Sequence, residues 1–172
     1  MALTFVLGGA RSGKTAYALG QASQAARGRG GRLVMIATAQ ARDGEMAERI
    51  ARHQAERGPE WETCEAPLDL ADAVRALSAE DVAVIDCLTL WLSNLMHHQA
   101  DIAEHVPALA EALRQTPAQV VLVSNEVGQG IVPDNALARR FRDEAGWANQ
   151  AMAAVADKAV MVVAGLPVTL KG

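Results

Sequence analysis

An α/β layered fold, a mostly parallel sheet flanked by helices, is predicted by three features of the chain. The residues Gly8-Gly9-Ala10-Arg11-Ser12-Gly13-Lys14-Thr15 fit the pattern G-x-x-x-x-G-K-[ST] and directly follow the apolar run Leu3 to Leu7. Five short runs rich in β-branched residues alternate with helix-like stretches. Finally, 172 residues that are 51% hydrophobic can bury one sizeable core, so a single domain over residues 1–172 is expected.

Taken in order, the strand-like runs are Leu3 to Leu7, Leu33 to Ala37, Val82 to Cys87, Val120 to Ser124 and Ala159 to Ala164. Their continuous apolar character suits strands covered on both faces. Between them, Lys14 to Arg27, Asp43 to Arg57, Leu68 to Leu77, Ile102 to Gln115 and Asn135 to Ala156 carry helix formers with apolar residues at three- and four-residue steps. Val168 to Leu170, after the Gly165-Leu166-Pro167 turn, is read as an added edge strand. Gly28 to Gly31 and Gly128 to Pro133 read as loops, and no internal repeat or low-complexity segment interrupts the pattern.

Composition narrows the function classes. The net charge of −4 is spread without a basic tract, which argues against nucleic acid or an anionic membrane surface as partner. No apolar stretch approaches the roughly 18 residues of a membrane span, and the first residues enter a strand rather than a leader. A soluble, cytoplasmic protein is expected. Cys64 and Cys87 lie far apart with no C-x-x-C pair, so reduced thiols are expected rather than a disulfide framework or a zinc site.

The Gly8–Thr15 segment carries the first chemistry. Glycines let successive N–H groups point at phosphate oxygens, Lys14 adds a positive charge, and the Thr15 hydroxyl can ligate Mg²⁺. Ligands of open parallel sheets gather at the carboxyl ends of strands, which here offer Thr38, Asp86 and Asn125-Glu126. Asp86 either holds Mg²⁺ opposite Thr15 or caps the segment Leu88 to Leu95. In the Asp43 to Arg57 helix, capped by Asp43, the residues Arg49, His53 and Arg57 fall at i, i+4 and i+8 on one edge. Flanking guanidinium groups favour the neutral imidazole that a nucleophile must be, although spacing alone more often describes an ordinary helix-surface histidine.

Several blocks together decide between those readings. The phosphate loop, Ala-Thr-Ala (37–39), Glu-Met-Ala-Glu-Arg-Ile-Ala-Arg-His (45–53), Trp-Glu-Thr-Cys-Glu-Ala-Pro-Leu (61–68) and Asp-Cys-Leu-Thr-Leu-Trp-Leu-Ser-Asn-Leu (86–95) resemble the bifunctional adenosylcobinamide kinase/adenosylcobinamide-phosphate guanylyltransferase family of cobalamin biosynthesis. Ser-Asn-Glu-Val-Gly-Gln-Gly-Ile-Val-Pro (124–133), Leu-Ala-Arg-Arg-Phe-Arg-Asp (137–143), Asn-Gln (149–150) and Ala-Gly-Leu-Pro (164–167) are similar to its remaining blocks. The resemblance spans nearly the whole chain.

What it implies is a RecA-like P-loop NTPase fold, often trimeric, that phosphorylates the aminopropanol hydroxyl of adenosylcobinamide with ATP or GTP. It then transfers GMP from GTP to adenosylcobinamide phosphate. By the same resemblance His53 carries GMP covalently, with Lys14 as the second catalytic residue. Nucleotide contacts map to Gly8, Gly9, Ala10, Arg11, Ser12, Gly13, Lys14 and Thr15, to Ala37, Thr38 and Ala39, to Gln54, Ala55, Glu56 and Arg57, and to Glu65 and Asp86. Mg²⁺ falls to Thr15 and Asp86.

Other features stay open or are set aside. Asn125-Glu126-Val127-Gly128 either touches the corrinoid or the γ-phosphate, or is a loop whose glycines satisfy backbone geometry. Trp61, Trp91 and Trp147 suit a corrin or base contact as well as packing in the core or at a subunit interface. His97 and His98 lack a third ligand at metal spacing, and Arg139, Arg140 and Arg142 read first as a solvated or interface face. Two alternatives to the bifunctional enzyme are a plain P-loop small-molecule kinase and a RecA-type nucleotide switch.

Overall fold

The computed structural model describes residues 2–27, 31–40, 44, 48 and 58–172. The first strand, β1 (Ala2–Gly8), runs into the phosphate loop and then helix α1 (Lys14–Arg27). There follow β2 (Leu33–Ala37), β3 (Trp61–Glu65), α2 (Leu70–Arg75), β4 (Val82–Asp86), α3 (Leu88–His97) and α4 (Ile102–Gln115). The chain continues through β5 (Gln119–Asn125), α5 (Ala136–Val155), β6 (Lys158–Val163) and β7 (Leu166–Lys171).

The sheet has the order β3-β2-β4-β5-β1-β6-β7. All neighbours are parallel except β6 and β7. The mostly parallel sheet predicted from the alternating runs is thus present. Its central strands are buried on both faces, which is why they read as continuous apolar runs. On one face Val6, Met35, Val84, Val121, Val123 and Val160 pack with Ala18 and Ala22 of α1, whose small side chains let the helix lie close. On the other, Phe5, Ile36, Ile85 and Leu122 meet Trp91, Leu92, Leu109 and Met152 from α3, α4 and α5. Each buried aliphatic side chain contributes on the order of 2 kcal/mol.

Two strands escaped or exceeded the sequence reading, and both are edges. Strand β3 is mostly exposed and its residues Trp-Glu-Thr-Cys-Glu lack an apolar run. Strand β7 is exposed along its whole length and starts before the expected Val168, with Pro167 tolerated at the open edge. Helix α3 is apolar almost all round because β5, α4 and α5 pack around it, so periodicity marked it poorly. Within the predicted Asp43 to Arg57 helix, Gly44 and Glu48 are helical. Its Asp43 cap, Arg49, His53 and Arg57 lie outside the described residues. Among the described residues no helix is long and apolar enough to cross a membrane.

The lower ends of the strands are tied by charge. Arg32 donates from Nε and Nη2 to the two Asp81 carboxylate oxygens at 2.8 and 3.0 Å, joining the approaches to β2 and β4. The Arg32 hydrogen bond holds the buried Asp81 carboxyl below its ordinary value. A depressed folded-state pKa contributes stability that is present above the unfolded value near 3.8 and lost as pH falls through the folded one. The melting-temperature gap between the wild type and Asp81→Asn is therefore expected to be widest near pH 6 and to narrow below pH 4, as differential scanning calorimetry can follow.

Candidate nucleotide site at the strand tips

The phosphate loop is shaped by what surrounds it. A Cβ on Gly8 would collide with Ser12 Oγ and lie 2.7 Å from the Val162 carbonyl oxygen, so no larger residue fits without moving the loop. Gly13 adopts φ +93°, the left-handed region that glycine accepts at no steric cost. The β6–β7 hairpin closes through Ala164 and Gly165 at φ +51° and +79°, a two-residue turn of the I′ kind. That turn braces the loop, since the Gly165 N–H donates to the Ser12 carbonyl at 2.8 Å. A Gly8→Ala substitution is expected to weaken nucleotide binding by at least about tenfold, about 1.4 kcal/mol, measurable by calorimetric titration.

Lys14 opens α1 and is largely buried; its Nζ donates to the Gly9 carbonyl at 3.0 Å. One residue on, the Thr15 hydroxyl donates to Asp86 Oδ2 at 3.0 Å across the gap between α1 and the end of β4. The two residues expected to share Mg²⁺ are therefore adjacent although 71 positions apart in sequence. Their donor set suits a hard divalent cation that draws its remaining ligands from phosphate and water. Among the described residues no group of three or more His, Cys, Asp or Glu side chains forms a metal cage. Beside Asp86, burial pushes the Cys87 thiol up to about 11, with the Asp86 charge adding to the shift. Cys87 thus stays neutral and puts no second negative charge near the carboxylate.

The Ala37-Thr38-Ala39 block ends β2. Thr38 is fully buried; its Oγ1 donates to the Cys87 carbonyl and accepts from the Cys87 N–H, both at 2.8 Å. Its own N–H reaches the Asp86 carbonyl and its carbonyl receives Asn94 Nδ2. With every polar group engaged inside the protein, Thr38 fastens the tips of β2 and β4 together and so fixes Asp86. Glu65 is exposed at the end of β3, in register with Ala37, which is in turn in register with Asp86. From β1 to β3 is four strand spacings, roughly 19 Å at about 4.8 Å each. Glu65 therefore stands at the far end of the row of strand tips from the phosphate loop. Gln54, Ala55, Glu56, Arg57 and His53 lie outside the described residues.

Sequence reading missed the polar residues behind the site. Asn94 Nδ2 bridges the carbonyls of Thr38 and Pro67 at 2.7 and 3.0 Å. Ser124 donates to Asn149 Oδ1 at 2.7 Å and lies 3.3 Å from Thr89 Oγ1. The available signal was an asparagine within the otherwise apolar stretch Leu88 to Leu95, because a buried amide there must serve backbone groups. Of the tryptophans, Trp91 is core and donates to the Leu68 carbonyl, whereas Trp147 is 63% exposed. Arg139 secures the carbonyls of Pro133 and Asp134, and Arg140 and Arg142 pair with Glu144 and Asp143 on the helix surface. His97 and His98 stack edge to face at the end of α3.

Comparison with known families places this arrangement. Residues 4–170 match the model of the family described as cobinamide kinase / cobinamide phosphate guanyltransferase. The chain belongs to the cobinamide kinase/cobinamide phosphate guanylyltransferase family. Within the family's named members, the bifunctional adenosylcobalamin biosynthesis protein CobP of Pseudomonas aeruginosa is 46% identical, covering 97% of this chain and 96% of its own length. The bifunctional adenosylcobalamin biosynthesis protein CobU of Salmonella typhimurium is 40% identical over 98% of this chain and 99% of its own. Among solved structures, a KaiC-like protein from Pyrococcus horikoshii aligns with TM-score 0.51 at 15% identity, covering 93% of this chain and 70% of that one. A solved ATPase domain aligns with TM-score 0.53 at 13% identity, covering 93% of this chain and 68% of that one. At such identities the likeness concerns the fold alone, which is the RecA-like P-loop architecture that the family resemblance implied.

Proposed function

We propose that this chain phosphorylates adenosylcobinamide with ATP or GTP and then transfers GMP from GTP to adenosylcobinamide phosphate through a covalent adduct on His53. The observation that carries the nucleotide chemistry is the Thr15–Asp86 contact at the mouth of the Gly8–Thr15 loop. Family membership over residues 4–170 supplies the corrinoid substrate.

In the kinase step the aminopropanol hydroxyl oxygen attacks the γ-phosphorus. The bond from that phosphorus to the β–γ bridging oxygen breaks, the nucleoside diphosphate leaves and the hydroxyl proton is released. Lys14 and the loop N–H groups hold the phosphates in line, so positioning supplies most of the catalysis. In the guanylyl step a neutral His53 nitrogen attacks the α-phosphorus of GTP, and the α–β bridging bond breaks to release pyrophosphate. A phosphate oxygen of adenosylcobinamide phosphate next attacks the imidazole-bound phosphorus; the N–P bond breaks, restoring the imidazole and giving adenosylcobinamide-GDP. Mg²⁺ held by Thr15 and Asp86 would neutralise charge on the phosphate oxygens. Glu65, with Ala37 and Ala39 between it and the loop, suits the base end of a nucleotide stretched along the strand tips. Gln54 to Arg57, following the nucleophile, complete the nucleotide contacts.

The reaction belongs in the cytoplasm, which supplies nucleoside triphosphates and keeps Cys64 and Cys87 as thiols. A homotrimer fits the apolar side chains that β7 leaves at the sheet edge, where Leu166, Val168 and Leu170 are 51–70% exposed.

GTP labelled at the α-phosphate tests the proposal. Incubation followed by denaturation should leave label on the protein that acid removes and base does not, and the label should pass to adenosylcobinamide phosphate. A protein that phosphorylates adenosylcobinamide yet takes up no label would be a plain kinase. For the metal pair, Asp86→Asn is expected to raise the Mg²⁺ concentration giving half-maximal activity by about tenfold or more, while an Asp86 that merely capped α3 would leave it unchanged.

A further inference from the structure

Strand β5 lies between β4 and β1, so its tip stands between Asp86 and the start of the phosphate loop. The register sets Asn125 beside Gly8 and Val123 beside both Val6 and Asp86. Side chains alternate along a strand. Val121 and Val123 pack on the face that carries α1, and Ser124 turns to the opposite face to meet Thr89 and Asn149. Asn125 therefore projects on the α1 face, the side on which the loop and Lys14 lie.

The base of this residue is held firmly and its head is not. The Asn125 N–H donates to Thr89 Oγ1 at 2.7 Å, its carbonyl receives Asn149 Nδ2 at 3.4 Å, and the next N–H, of Glu126, donates to the Gly8 carbonyl at 3.1 Å. The carboxamide, half-buried, points Nδ2 at Cys87 Sγ at 3.9 Å, and a thiol sulfur is a weak acceptor. A partly buried amide donor with so poor a partner, its backbone fixed by part-buried hydrogen bonds at a strand tip beside a phosphate loop, is poised for a stronger acceptor.

We propose that Asn125 Nδ2 donates a hydrogen bond to a terminal phosphoryl oxygen of the bound nucleoside triphosphate, making it a catalytic residue of the kinase step and the group that distinguishes triphosphate from diphosphate. The inference rests on the nucleotide-binding reading above. A neutral donor suits this place because Lys14 already supplies positive charge, and the amide can follow the phosphoryl group as it leaves the β–γ bridging oxygen for the corrinoid hydroxyl. Thr89, Ser124 and Asn149 act through Asn125 as positioning residues.

The test uses the full chain with Mg²⁺, GDP and a GTP analogue whose β–γ bridge is an imido group. For Asn125→Ala, affinity for the analogue is expected to fall roughly tenfold to a hundredfold while affinity for GDP stays within about twofold. The kinase kcat should fall by about a hundredfold. Asn125→Asp keeps the shape and the backbone contacts but brings a negative charge to the phosphate, so its loss of analogue affinity should exceed that of alanine. Equal weakening of GDP and analogue in either variant, or an unchanged ratio, overturns the assignment. Wild-type protein that binds neither nucleotide overturns the underlying reading instead, and the retained GDP affinity of a variant reports that it is folded.

Discussion

Replacing His53 with alanine is expected to abolish the acid-labile GMP adduct and to lower guanylyl transfer by at least about a thousandfold, about 4 kcal/mol of barrier. Phosphorylation of adenosylcobinamide should persist within about threefold, because attack at the γ-phosphorus forms no bond to the protein. The asymmetry follows from which phosphorus each nucleophile reaches. Two assays on one preparation check it: retention of α-phosphate label on denatured protein, and formation of adenosylcobinamide phosphate from ATP. A His53→Ala protein that still takes up label would move the nucleophile elsewhere. Parallel loss of both activities would make His53 a shared structural or binding group.

A Lys14→Met substitution should act differently, lowering both reactions together by roughly a hundredfold to a thousandfold, or about 3–4 kcal/mol. Lys14 sits at the first turn of α1 with its ammonium at the Gly8–Thr15 loop, where the proposal places the phosphates of either triphosphate. Pyrophosphate leaving the α-phosphorus and a diphosphate leaving the γ-phosphorus both develop negative charge in that cradle, so one cation serves both. Methionine preserves the length and the packing of the stem while deleting the charge, which keeps thermal stability as a control. A mutant in which one activity falls a hundredfold and the other is unchanged would show that the two reactions use separate phosphate sites.

The two predictions draw on parts of the site that the sequence revealed to different degrees. The loop was legible because its chemistry is contiguous: eight neighbouring residues carry the glycines, the lysine and the hydroxyl. Asp86 was legible as an acid ending an apolar run, and its distance from Thr15 is what folding added. Thr38 illustrates the limit. Its place after β2 suggested a ligand contact, yet its hydroxyl is spent on both polar groups of Cys87, a pairing set by strand order that no local pattern encodes. Edge strand β3 was illegible for a related reason, since an exposed strand carries no apolar alternation to betray it. The central strands were plain because burial on both faces leaves only aliphatic choices.

The position of β1 has a temporal consequence. Its sheet partners are β5 and β6, so Ala2 pairs with Gln119 and the Leu3 N–H bonds to Asp157 Oδ2, 154 positions away. A chain growing on the ribosome therefore makes its anion-cradling residues first and their walls much later, after β2, β3 and β4 have been synthesised. Such distant closures carry a large entropic cost before any contact rewards them, which slows assembly and leaves the apolar β1 residues Leu3, Phe5 and Val6 waiting. Chaperone capture of nascent chains should accordingly persist until residues 158–163 emerge from the exit tunnel.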